Sequence, residues 1–178
     1  ATLLAVVIAI YLAGLDGTLK DGALASGDFV AFYTGATLVR EGRGADLYDM
    51  HAQLARQHAL VGEDPGSTQL LYLPYLNPPL LALALAPIAS LPYVSAFYAF
   101  DVLMLLSFAG AILLLRPVLP RLARSRGAWA ATVLLLWGWH PVSRTLFGGQ
   151  NTVLTFLLLA GLYAAWKREQ SLLAGLFL

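Results

Sequence analysis

The amino-acid sequence predicts an all-α, polytopic membrane protein, and three observations carry that expectation. Hydrophobic residues make up 59% of the 178 residues and charged residues only 12%, against about 45–50% and about 25% in a soluble domain. Mean hydropathy is +0.72. The charges are unevenly spread: residues 16–69 hold eight acidic and four basic side chains, and long apolar runs flank them. The 16 Gly and 9 Pro suit membrane helices, where both are commoner than in soluble ones. A net charge of +1 argues against nucleic acid as a partner. Zero Cys removes disulfides, thiolate metal sites and thiol catalysis together.

The elements follow in order. Residues 1–15 contain a uniformly apolar run at 3–15, read as a first span. No basic segment precedes it, so it does not read as a signal peptide. Residues 16–71 form a long polar loop with two amphipathic helices, at 28–41 and 49–60. Asp28 and Asp49 stand at their starts, and Gly42-Arg43-Gly44 halts the first. Both are too polar to cross a bilayer and are expected to lie on its surface. Residues 62–67 are loop. The remaining spans occupy 72–178: a Pro-rich segment at 72–92, then 93–115, 128–139 and 151–166, with loops at 116–127 and 142–150 and a tight basic turn at 167–170. Residues 171–178 are apolar but shorter than the ~20 residues that a span takes. The expectation is a single transmembrane domain of five spans and the start of a sixth, in an N-terminal fragment of a longer protein.

Excess Lys and Arg mark short cytoplasmic loops. That rule puts 116–127 and 167–170 inside and the acidic loop outside, at a multi-pass plasma-membrane location. Parity then demands that the Pro-rich segment be re-entrant or that the rule fail at one loop; the sequence leaves both open. The excess of Ala, Leu and Arg over two Lys is the composition of a protein from a GC-rich bacterium.

Asp28 is the leading candidate for chemistry. A carboxylate where a long loop meets the bilayer can take a proton from an acceptor hydroxyl while a lipid-borne group is presented from the membrane. It is equally the residue a helix N-cap favours, and both readings can hold at once. Asp46-Leu47-Tyr48-Asp49 reads as a cap and a solvated turn. Tyr72, Tyr75 and Asn77 put rings and an amide at the mouth of an apolar run, where Tyr is common in any case. Asp101 interrupts an apolar span; such acids are costly and point to function or to an internal partner.

A second cluster holds His140, Arg144, Gly148-Gly149, Gln150 and Asn151. Arg and His at a membrane boundary suit a lipid phosphate. The glycines permit close backbone approach, and Gln150 and Asn151 suit sugar hydroxyls or the cap of the next helix. His51 and His58 have no third ligand in view, so no metal site is expected. No Gly-rich phosphate loop, His-Glu-x-x-His or Gly-x-Ser-x-Gly is present.

One ordered series runs through these features: Gly27-Asp28-Phe29, Tyr33-Thr34-Gly35-Ala36, Gly42 to Leu47-Tyr48-Asp49, Tyr75-Leu76-Asn77-Pro78-Pro79-Leu80, Ala86-Pro87, Leu91-Pro92, Gly149-Gln150-Asn151 and Ala174-Gly175-Leu176. It resembles glycosyltransferase family 87, polyprenol-phosphate-dependent membrane enzymes that include mannosyltransferases of the cell envelope. The resemblance implies a GT-C-like helical bundle with surface helices in the first external loop. It implies Asp28 as the catalytic base; beside it, Tyr33, Asn77, His140, Arg144, Gln150 and Asn151 are the residues expected to bind substrate, with Arg144 and His140 on the donor phosphate. The donor would be a sugar on polyprenyl phosphate, transferred with inversion to a lipid or glycan acceptor on the extracytoplasmic face. No cofactor is implied beyond that lipid-linked substrate. Rival readings are a non-enzymatic transporter, which the Pro-rich segment and Asp101 suit, and a lipid-carrier-associated membrane subunit.

Overall fold

The computed structural model describes residues 27–61 and 72–177, and Asp28 and Gly42 bracket the first helix among these residues. The predicted span at 3–15 and the loop at 62–67 lie outside the described residues. Helix α1 (Phe29–Arg40) ends as Gly42 requires. Gly42 takes φ +75°, the Arg43 N–H donates to the Leu38 carbonyl at 2.8 Å, and the Gly42 N–H donates to that of Val39 at 3.0 Å. These two bonds close the helix with the left-handed glycine that such an ending favours.

After a short 3₁₀ turn (Gly44–Asp46) comes α2 (Met50–Val61). Its cap is the predicted one: Asp49 Oδ1 accepts the Ala52 N–H at 2.7 Å. The chain then runs without helix from Tyr72 through a bend at Asn77 to Pro78, and turns into α3 (Pro79–Leu85) and a 3₁₀ turn (Ile88–Ser90). Next come α4 (Tyr93–Leu115), a 3₁₀ turn (Arg116–Val118), α5 (Pro120–Ala123), α6 (Arg126–Trp137), α7 (His140–Gly148), α8 (Thr152–Lys167) and α9 (Ser171–Leu176). Among the described residues all regular structure is helical.

Three expectations change. The segment 72–92 is not a spanning helix: α3 has seven residues, about 10 Å at 1.5 Å per residue, against a hydrocarbon core of about 30 Å. Pro78 and Pro79 set its start, because Pro disfavours helix in the residue before it and is tolerated at the first helical position. The segment 142–150 is not a loop, since α7 occupies it as far as Gly148. And α1 is no surface helix. Phe29, Val30, Ala31, Phe32, Thr34, Gly35, Ala36, Thr37 and Leu38 are all buried, so its sides are enclosed by protein all around rather than along one stripe.

Among the described residues one helix is long and apolar enough to cross a membrane, α4 with the turn that extends it to Val118, 26 residues in all. Its inner face carries Ala96, Phe97, Phe100, Met104, Phe108 and Ala111, while Val102, Leu106 and Leu113 stay exposed. Exposed leucine on a helix whose other face is already packed is what a lipid-facing surface needs. Helix α6, with 12 residues, is short of a full crossing, and α8 is a shorter apolar helix.

The described residues form two compact units divided after Phe100, with 147–149 returning to the first. In the first, α1 packs against α2, α3 and the 88–90 turn. The α2 side holds the segment 72–78 with two buried glutamines. Gln53 Oε1 accepts the Tyr75 N–H at 2.8 Å, and its Nε2 donates to the Leu47 carbonyl at 2.7 Å. Gln57 Nε2 donates to the Leu73 carbonyl at 2.7 Å, and its Oε1 accepts the Leu73 N–H at 3.2 Å. The match is geometric. Side chains four apart on a helix stand about 5–6 Å apart, close to the ~6.6 Å between residues two apart on an extended chain. In the second unit, Phe108 meets Trp137 edge-on at 5.4 Å and Phe156 at 6.3 Å. There α8 packs on α9, and a Cβ at Gly161 would stand 2.5 Å from the Phe177 ring.

Candidate active site

Asp28 sits at the start of α1 on backbone that is fixed from two directions. The next residue, Phe29, is 2% exposed and lies in an aromatic box. Its ring centroid is 5.5 Å from Tyr93, 5.3 Å from Phe97, 5.1 Å from Phe100 and 6.0 Å from Tyr33. From the other direction comes the Gly148-Gly149 backbone. A Cβ on Gly27 would stand 2.8 Å from the Gly148 carbonyl oxygen, and one on Gly149 would stand 2.3 Å from the Phe29 Cβ. Gly149 has φ +66°, a conformation that glycine adopts at little cost. So the Gly pair does approach something closely, but it is the start of α1 rather than a ligand.

The Asp28 carboxylate itself is half-buried and makes no capping bond. Its φ of −62° and ψ of −18° are already helical, whereas a capping residue adopts extended angles that swing its side chain back over the first turn. Among the described residues it makes no ion pair either. What the arrangement leaves is a half-buried acid at a helix N-terminus whose carboxylate makes no capping bond.

Tyr33 is engaged: its hydroxyl donates to the Leu91 carbonyl at 2.8 Å, and its ring meets Tyr93 edge-on at 5.2 Å. Asn77 forms the bend before Pro78, and its carbonyl accepts the Tyr48 hydroxyl at 2.8 Å. Tyr75 is buried, and its hydroxyl donates to the Pro78 carbonyl at 2.8 Å. Burial pushes its pKa up to about 12. Burial also raises that of Tyr72, with the Asp49 carboxylate adding to the shift. Three tyrosine hydroxyls thus tie down the chain around the prolines.

His140 and Arg144 lie four apart on α7, and both are exposed. Val142, Thr145 and Leu146 are buried on the opposite side. The two cations therefore share one outward face, an arrangement suited to an anion. Gln150 and Asn151 follow α7 directly, and Asn151 occupies the N-cap position of α8 without a side-chain capping bond. The structure brings Asp28, Tyr33 and Asn77 into the first unit; His140, Arg144, Gln150 and Asn151 belong to the second. Among the described residues no group of three His, Asp or Glu side chains stands ready for a metal ion.

The sequence reading missed Gln53 and Gln57. Their signal was two amides one helical turn apart on a helix otherwise rich in Ala and Leu, and it gives no hint of which distant segment they hold. Asp101, in α4, has a buried Oδ1 without a hydrogen-bond partner among the described residues.

No curated protein and no solved structure matches the chain. The sequence profile of glycosyltransferase family 87 matches residues 75–178, a span that takes in Asn77, His140, Arg144, Gln150 and Asn151 and begins after Asp28 and Tyr33. With more than half of its length inside that match, this chain belongs to glycosyltransferase family 87.

Proposed function

We propose that the protein is a GT-C-type, multi-pass enzyme of a bacterial plasma membrane. It moves a sugar, mannose or another hexose or pentose, from polyprenyl phosphate to a lipid or glycan acceptor on the extracytoplasmic face, with Asp28 as the base. Family membership supports glycosyl transfer, and the carboxylate without a capping bond is the observation that carries the role of Asp28. The acceptor hydroxyl gives its proton to the Asp28 carboxylate as its oxygen bonds to the anomeric carbon. The bond from that carbon to the phosphate oxygen breaks, and polyprenyl phosphate leaves with the electron pair. Attack opposite the leaving group inverts the anomeric centre. The exposed pair His140 and Arg144 suits the anionic phosphate of the donor. Tyr33, Asn77, Gln150 and Asn151 are proposed to contact sugar or acceptor, and no cofactor takes part.

The short α3 supports the topology that this scheme needs. With a seven-residue α3, a single crossing by α4 would set the Arg-rich 116–127 opposite the acidic loop, the arrangement that the charge rule asks for. A transporter reading has in its favour the buried Asp101 Oδ1, which lacks a hydrogen-bond partner among the described residues, but family membership weighs against it.

The test is Asp28→Asn in the full-length protein. Membrane insertion is expected to be normal and transfer to fall by roughly 10²–10⁴-fold, the usual worth of a general base. Retained transfer would remove Asp28 from the mechanism.

A further inference from the structure

From 102 to 168 the chain carries no acidic side chain. Four arginines of that stretch, Arg116, Arg121, Arg124 and Arg126, lie within eleven residues at the end of the membrane-length helix. None of them makes an ion pair among the described residues. Two of them line an open groove of about 600 Å³, whose other walls are Leu113, Pro117, Pro120 and Ala123. Leu113 lies on the last turn of α4 and is 68% exposed. The apolar end of the groove therefore continues into the outward, apolar side of the helix, while Arg116 and Arg124 supply charge where that helix ends.

This combination selects an amphiphile. A free anion gains nothing from Leu113 and the two prolines, and a neutral lipid leaves two guanidinium groups without a counter-charge. Arg offers planar, paired N–H donors that match phosphate oxygens, and a helix that has just crossed the hydrocarbon ends at the depth of the headgroups. We propose that this groove binds one anionic phospholipid, its phosphate held by Arg116 and Arg124 and its acyl chains running along Leu113. Lipid binding in this groove calls on neither Asp28 nor sugar transfer, so it can fail or hold without them.

The experiment is native mass spectrometry of the full-length protein in detergent. It is titrated with phosphatidylglycerol, with phosphatidylcholine of the same acyl chains, and with inorganic phosphate as competitor. One phosphatidylglycerol is expected to bind roughly tenfold or more tightly than phosphatidylcholine, and the double variant Arg116→Gln, Arg124→Gln is expected to lose that preference, since each basic contact near an anionic headgroup counts separately. Arg116→Lys with Arg124→Lys is expected to retain part of the preference, and Arg168→Gln all of it. Should the double glutamine variant not remain monodisperse, the two single variants, each weaker by severalfold, decide by the same readout. Equal binding of the two lipids, or undiminished phosphatidylglycerol binding in the glutamine variants, overturns the proposal. Displacement of phosphatidylglycerol by millimolar inorganic phosphate overturns it too, by assigning the groove to a free anion.

Discussion

Gly149 lies so near Phe29 that a Cβ on it would stand 2.9 Å from the Phe29 backbone nitrogen and closer still to its Cβ. The contact pins the start of α1 one residue after Asp28. Gly149→Ala adds a clash against backbone to the strain of a positive φ, each a matter of about 1–3 kcal/mol. The expected outcome is a lower unfolding temperature and slower sugar transfer, because the Asp28 backbone must shift. Unchanged stability and transfer would show that the contact is slack.

The glutamine clamp gives a sharper local signature. Gln53→Ala leaves the Tyr75 N–H and the Leu47 carbonyl without the partners seen here, at a cost of about 1–3 kcal/mol per buried group left unpaired. Hydrogen exchange at the Tyr75 amide should accelerate more than at the Leu73 amide, which Gln57 holds. Gln57→Ala should reverse that order. Equal acceleration at both positions in both variants would mean that the segment 72–78 is released as a whole.

The alkaline limit of stability should involve Tyr75. Its pKa is raised to about 12 from 10.0 by burial. A group whose folded pKa lies above its unfolded value contributes fully below the unfolded pKa and loses its contribution as pH rises through the folded one. Stability should therefore decline between about pH 10 and pH 12. Tyr75→Phe gives up the bond to Pro78, about 0.5–1.5 kcal/mol at neutral pH, but its unfolding temperature should fall less steeply over that window. Parallel pH profiles of wild type and variant would exclude Tyr75 as the titrating group.

The buried Oδ1 of Asp101 has no partner among the described residues, and an unsatisfied buried polar atom costs about 1–3 kcal/mol. Asp101→Leu is expected to raise the unfolding temperature of the detergent-solubilised protein. A drop would reveal that the carboxyl is satisfied in the assembled enzyme and contributes to its stability.

What could be read from the sequence is what depends on neighbours along the chain. The helix between Asp28 and Gly42, the Asp49 cap and the long apolar helix from Tyr93 follow from capping chemistry, a left-handed glycine and sustained hydropathy, all of them local. The sequence by itself also brought the family into view, since short motifs in a fixed order survive without any fold. Tertiary structure alone decided the remainder. Whether 72–78 runs as helix or as a strap without helix depends on Gln53 and Gln57 reaching it from another helix. Whether Asp28 caps its own helix or leaves its carboxylate without a capping bond depends on backbone angles set where Gly148 and Gly149 press against α1. Residues 142–148 carry a Gly-Gly end and a mixed polarity that suit a loop equally well. They become helix because burying Val142, Thr145 and Leu146 rewards that periodicity, and only packing supplies the reward.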